Sequence, residues 1–179
     1  MSCSSGNALL LLMLALGSAL LFGCAGQQTA RPGFYVNQQY AFSVDYPESW
    51  QTQPPQHQEI FRAAAPTQYK LPVVTASVTE HPKSTTLDPK AFTDVMQQML
   101  AGSSGYSILS QEDVTLNDST PAKAFTFEWV LADGKTKMVT AALITMKDGK
   151  YYNVTVTNAA GAPPSPEQLL GVVKSWKFR

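Results

Sequence analysis

Residues 121–157 read PAKAFTFEWVLADGKTKMVTAALITMKDGKYYNVTVT, and the fold class follows from this stretch. Its two Asp-Gly pairs, Asp133-Gly134 and Asp148-Gly149, divide it into the segments Lys123–Leu131, Lys135–Met146 and Lys150–Thr157. Asp-Gly supplies the positive φ angles that tight hairpin turns require, so these segments are predicted to be antiparallel neighbours. Phe125, Phe127, Trp129 and Leu131 mark one face of the first segment, and Ala122, Ala124 and Val130 mark the other.

Moving outward from this meander, Tyr106–Leu116 reads as one more strand. Before it, Leu87 to Gly102 has the marks of a helix: Asp88 as N-cap, Pro89 at the first helical position and Gly102 as the stop. Phe92, Val95, Met96, Met99 and Leu100 form a stripe at helical spacing, of the kind that packs on a sheet. Glu59–Ala64 and Val73–Thr79 read as strands, and Tyr40, Phe42, Val44 and Tyr46 alternate with smaller or polar residues as in a half-buried strand. Downstream, Ser165-Pro-Glu-Gln168 is a capping-box start for a helix bearing Leu169, Val172, Val173 and Trp176. The expected fold class is α+β, an antiparallel sheet of about six to seven strands flanked by helices.

The chain has 179 residues, 13 Lys+Arg against 13 Asp+Glu, and 44% hydrophobic residues. That suits one domain with a real core, placed at residues 38–179, and excludes wholesale disorder. A balanced charge with no basic run lacks the electrostatic footprint of nucleic-acid binding.

The N-terminus carries an address. Ala8 to Phe22 is an apolar stretch of 15 residues, too short for a comfortable membrane span and of the length of a secretory signal core. Leu21-Phe22-Gly23-Cys24 then resembles the bacterial lipobox. That resemblance implies a signal peptide over residues 1–23, cleavage between Gly23 and Cys24, and a diacylglycerol on the Cys24 thiol. Further acylation of the new amino group would follow. Two or three chains anchor lastingly, because each buried methylene contributes about 0.8 kcal/mol and one chain is marginal. An ordinary cleaved secretory signal or an uncleaved anchor is the alternative. Ala25 after the cysteine, in place of Asp, resembles lipoproteins sorted to an outer membrane where the cell has one. No cysteine follows Cys24, so neither a disulfide nor a Cys-based metal site is expected in the domain. Residues 24–37 read as the lipidated cysteine and a flexible tether, whose dozen residues from Ala25 to Val36 reach at most about 40 Å.

Phe42-Ser-Val-Asp-Tyr-Pro-Glu-Ser-Trp50 resembles the opening of the PsbP-like family, and Val172-Val-Lys-Ser-Trp-Lys-Phe178 is similar to its terminal helix. That superfamily includes the extrinsic PsbP protein of photosystem II, bacterial DcrB-type lipoproteins and a eukaryotic Ran-binding import factor. The resemblance implies a compact antiparallel sheet sandwiched by helices and an accessory or binding role in place of catalysis. The photosynthetic branch is associated with manganese, calcium and chloride, but no residue here matches a ligand position of that branch.

Catalytic signals are sparse. His57 and His81 are the neutral-pH bases, both in polar or Pro-bounded loops, and no Gly-x-Ser-x-Gly elbow or phosphate-cradling Gly-rich loop is present. His-x-x-x-His, Cys-x-x-Cys and the calcium-loop spacing are absent, which leaves Glu80, His81 and Glu112 as weak metal candidates. Trp129 and Trp176 fall on apolar faces and read as core. Trp50, beside the Gln51–Gln58 loop, is the tryptophan expected to line a partner or ligand groove, together with Tyr46. The expectation is a non-enzymatic, membrane-anchored lipoprotein, exported to the cell or outer membrane. It would bind an envelope protein or a small ligand and need no cofactor beyond its acyl chains. A Ca²⁺- or Mn²⁺-binding accessory and an ordinary secreted binding domain are the alternatives.

Overall fold

The computed structural model of the chain describes residues 28–80 and 105–179. The expected strands of the meander are present: β7 (Tyr106–Thr115), β8 (Pro121–Val130), β9 (Lys137–Lys147) and β10 (Lys150–Ala159). Together with β4 (Gln51–Thr52), β5 (Glu59–Ala64) and β6 (Val73–Glu80) they form a seven-stranded antiparallel sheet in the order β4-β5-β6-β10-β9-β8-β7. Asp148 and Gly149 close the β9–β10 hairpin with φ of 51° and 69°, the conformation their residue types favour. Asp133 instead organises a longer loop, its carboxylate accepting from the Lys135 and Thr136 N–H groups.

A second sheet was not anticipated. β1 (Gln28–Arg31), β2 (Phe34–Asn37), β3 (Phe42–Asp45) and β11 (Lys177–Phe178) pair in the order β1-β2-β3-β11. Residues 28–37, expected to be tether, therefore belong to the folded domain. Tyr35 and Asn37 are buried, and Tyr35 stacks on Phe61 with ring centroids 4.0 Å apart. Asn37 Nδ2 donates to the Tyr35 hydroxyl, which donates in turn to the Ile60 carbonyl. The hairpin depends on Gly33, whose φ is +78° and where a Cβ would stand 2.7 Å from Glu48 Cγ and 3.2 Å from the Tyr46 carbonyl oxygen. Gly33→Ala is expected to cost roughly 1–2 kcal/mol. Denaturant unfolding checks this, and an unchanged midpoint would mean that the hairpin contributes nothing to the domain.

The one helix among the described residues is α1 (Pro166–Val173), so an antiparallel sheet flanked by helices overstates the helical part. Its capping box is present as expected: the Gln168 N–H donates to Ser165 Oγ and the Ser165 N–H to Gln168 Oε1. It ends at Val173, earlier than expected. Trp176 lies beyond it and leads into β11, which the sequence pattern merges with the helix. The helix predicted over residues 87–102 lies outside the described residues.

The alternation on β8 to β10 sorts side chains onto two apolar faces. Ala122, Ala124, Val139, Ala141, Leu143, Tyr152, Val154 and Val156 face α1 and the small sheet. Phe125, Phe127, Ala142, Ile144, Met146 and Tyr151 form a cluster on the opposite face. Burial on both faces explains why β9 reads as a nearly continuous apolar run. Aromatic rings join the two sheets: Phe42 stacks on Trp176 at 3.9 Å, and the Phe178 ring meets Tyr152 edge-on at 5.0 Å. The Asn117 side chain completes this junction, donating to the Phe178 carbonyl and accepting from its N–H.

Candidate functional site

Trp50 does not serve as an exposed anchor. It is 7% exposed and Tyr46 5%, both within the main core. Period-2 alternation carries Phe42, Val44 and Tyr46 inward together, and Pro47-Glu-Ser turns the chain so that Trp50 follows them. The Tyr46 hydroxyl donates to the Arg31 carbonyl at 3.0 Å, and burial holds this phenol above its ordinary titration range. A depression of about 400 Å³ opens over these two rings, rimmed by Arg31, Glu48, Ser49 and Gln51. The expected groove is thus a shallow basin whose rim residues, and not its tryptophan, meet solvent.

The metal candidates are not brought together. Glu80 ends β6 and lies 3.9 Å from Lys150 Nζ, whereas Glu112 on β7 pairs with Lys174 Nζ at 2.6 Å. Three strands separate β6 from β7, roughly 19 Å across the sheet. His81 lies outside the described residues, and among the described residues no group of three His, Cys, Asp or Glu side chains is placed to hold a metal. His57 sits in an exposed turn with φ of 51°. Trp129, expected in the core, is partly exposed, and its indole N–H donates to Thr140 Oγ1 at 3.0 Å.

Sequence reasoning found the strand Tyr106–Leu116 but missed it as a candidate site. Among the described residues β7, ten residues long, lies at the edge of the large sheet, and it is exposed along nearly its whole length. Tyr106, Ile108 and Leu109 on it are 54%, 44% and 48% exposed; among the described residues Tyr69 is the other large hydrophobic so placed. An edge strand leaves a row of backbone N–H and C=O groups open to pairing, and charges or bulges commonly blunt it. Here the blunting is uneven. Glu112 and Asp113, held by Lys174 and Lys123, occupy the C-terminal half, and a bulge falls between Ile108 and Ser110. The bulge places Leu109 over α1, where Leu109, Ser110, Thr126, Pro166 and Leu170 line a groove of about 320 Å³. Glu167 stands at its rim, and hydrogen bonds from the Ser165 hydroxyl and its own backbone N–H keep its carboxyl below the usual range. The available signal was the run Tyr106-Ser-Ile-Leu109, too apolar for a solvated edge, but strand order is needed to know that this strand is an edge.

Residues 35–177 match the family described as the serine/threonine kinase C-terminal domain. The chain belongs to this family. No curated protein sequence matches it. Among solved structures, this kinase C-terminal-domain fold is similar to cyanobacterial PsbP (CyanoP) from Synechocystis, with a TM-score of 0.61 at 14% identity, covering 89% of this chain and 99% of that one. It is also similar to a protein from Bacteroides thetaiotaomicron, with a TM-score of 0.51 at 15% identity, covering 84% of this chain and 49% of that one. The fold is PsbP-like, as the Phe42–Trp50 segment implied.

Proposed function

We propose that this protein is a non-enzymatic binding or assembly module of the envelope, a lipoprotein of the DcrB type held to the membrane through Cys24, and that its partner adds an extended segment to β7. The observation that carries the binding role is the gathering of Tyr106, Ile108 and Leu109 on one open edge strand beside an apolar groove. Main-chain hydrogen bonds along such an edge give affinity, and a side chain seated in the Leu109–Leu170 groove gives selectivity. A family named for a domain at the C-terminus of kinases suits a role in binding, since such a domain is set apart from the catalytic unit.

Photo-cross-linking in cells tests this. A benzophenone side chain at Leu109 is expected to capture a discrete partner band that the same group at Tyr69 does not, although Tyr69 is more exposed at 79%. Equal capture at both positions, or none at Leu109, would remove β7 as the binding edge.

A further inference from the structure

We propose that the outer face of the small sheet docks on the membrane surface and recognises anionic lipid headgroups through Arg31 and Arg179. The proposal deepens the reading of a membrane-anchored module and rests on it.

Register defines the face. Arg31 pairs with Phe34, Phe34 with Asp45, and Ser43 with Lys177, so these side chains share the side opposite the buried Tyr35 and Asn37. Arg179 continues β11, its N–H donating to the Ala41 carbonyl, and reaches back over the same face. The Arg31 and Arg179 guanidinium carbons lie 4.9 and 5.1 Å from the centroid of the one Phe34 ring. Stacking on an aromatic ring uses the plane of a guanidinium and leaves its N–H edges as donors. Two guanidiniums held on one ring each keep donors for phosphate oxygens.

None of the three cations Arg31, Lys177 and Arg179 forms an ion pair among the described residues, whereas Arg62, Lys123, Lys147 and Lys174 do. Asp45 and the α-carboxylate of Arg179 on this face, with Glu48 behind the Gly33 turn, are the opposing carboxylates, so the two ring-held guanidiniums and not a net charge distinguish this face. The length of chain before it names the occupant. Arg31 is the seventh residue after Cys24, a span of at most about 25 Å when extended. An acyl anchor at Cys24 would thus hold this face within reach of the headgroups.

Flotation of the full chain, as recovered from cells, with vesicles of phosphatidylcholine alone or mixed with phosphatidylglycerol tests the proposal. The readout is the ratio of binding to anionic and neutral vesicles, which cancels the contribution of an acyl chain or an apolar signal. The ratio is expected to favour anionic vesicles, fall with salt, and drop roughly 5-fold for each of Arg31→Gln and Arg179→Gln. Lys177→Gln leaves the Phe34 stack intact and should lower the ratio in the same direction if an arginine variant does not fold. A ratio unchanged in the folded arginine variants would overturn the proposal. So would its loss in inorganic phosphate but not in chloride of equal ionic strength, which would make free phosphate the ligand. Running Cys24→Ser in parallel separates the two readings. If wild type carries no acyl mass but the arginine-dependent ratio persists, only the anchor fails; if it is acylated and the ratio ignores the arginines, only the docking face fails.

Discussion

Trp176→Ala is expected to lower the free energy of unfolding by about 3–5 kcal/mol, the range for large aromatic truncations in cores. Trp176 is 2% exposed and stacks on Phe42 at 3.9 Å with an interplanar angle of 15°, while Tyr152 and Phe178 meet it at 5.8 and 5.9 Å. Those neighbours belong to β3, β10 and β11, which are pinned by their own ladders and cannot close together over a vacated indole. The ring therefore joins the end of α1, the small sheet and the large sheet at one point. Its indole N–H has no hydrogen-bond partner among the described residues although it is buried. An unpaired buried donor costs about 1–3 kcal/mol, so Trp176→Phe removes a penalty along with one ring of the indole. It should be much less damaging than the alanine change. Urea unfolding of the three proteins, followed through the remaining tryptophans, measures both effects. An alanine variant within about 1 kcal/mol of wild type, against the expected core-truncation cost, would show that this junction does not hold the sheets.

Cys24→Ser is expected to abolish acylation and move the protein from the membrane fraction to the soluble one. The thiol of Cys24 is the acceptor in the lipobox reading, and a serine hydroxyl, far less nucleophilic than a thiolate, does not replace it. Each acyl methylene lost removes about 0.8 kcal/mol of partition free energy, so losing all chains is an all-or-none change in anchorage. Intact mass of wild type should show a chain beginning at Cys24 with added acyl mass, absent in the variant. A wild-type chain cut elsewhere and unacylated would leave a secreted binding domain, and the membrane would cease to be its place of action.

The parts of this fold that were legible are those with local causes. The Asp148-Gly149 turn requires only its own residues to adopt positive φ, and the Ser165–Gln168 capping box is closed within one helical turn. Alternation placed Phe125 and Phe127 opposite Ala122 and Ala124, because the pleat alone sends successive side chains to opposite faces. Residues 28–37 read as part of the tether because QTARPGFYVN is polar and holds the turn formers Pro32 and Gly33, a composition shared by linkers and by edge hairpins. What makes Phe34–Asn37 a strand is β3, and what buries Tyr35 is Phe61. Trp50 was misjudged for a related reason: its polar neighbours in sequence suggested a surface, whereas its neighbours in space are the core.

The sequence by itself determined the antiparallel meander and the capped terminal helix, since hairpin turns, pleat and helix caps act over a few residues, while the PsbP-like class was implied by the resemblance of Phe42–Trp50 and Val172–Phe178. Only the tertiary structure decided which strand became the open edge and which aromatic rings were spent in the core. It also decided that Lys177–Phe178 is a strand at all. Two residues carry no periodicity; they are ordered by the backbone of β3 and the amide of Asn117, more than 60 residues away in the chain. The same long-range pairing sets Arg179 and Arg31, from opposite ends of the domain, over one ring. Contacts between segments so far apart form only once the chain has closed on itself, and no local pattern announces them.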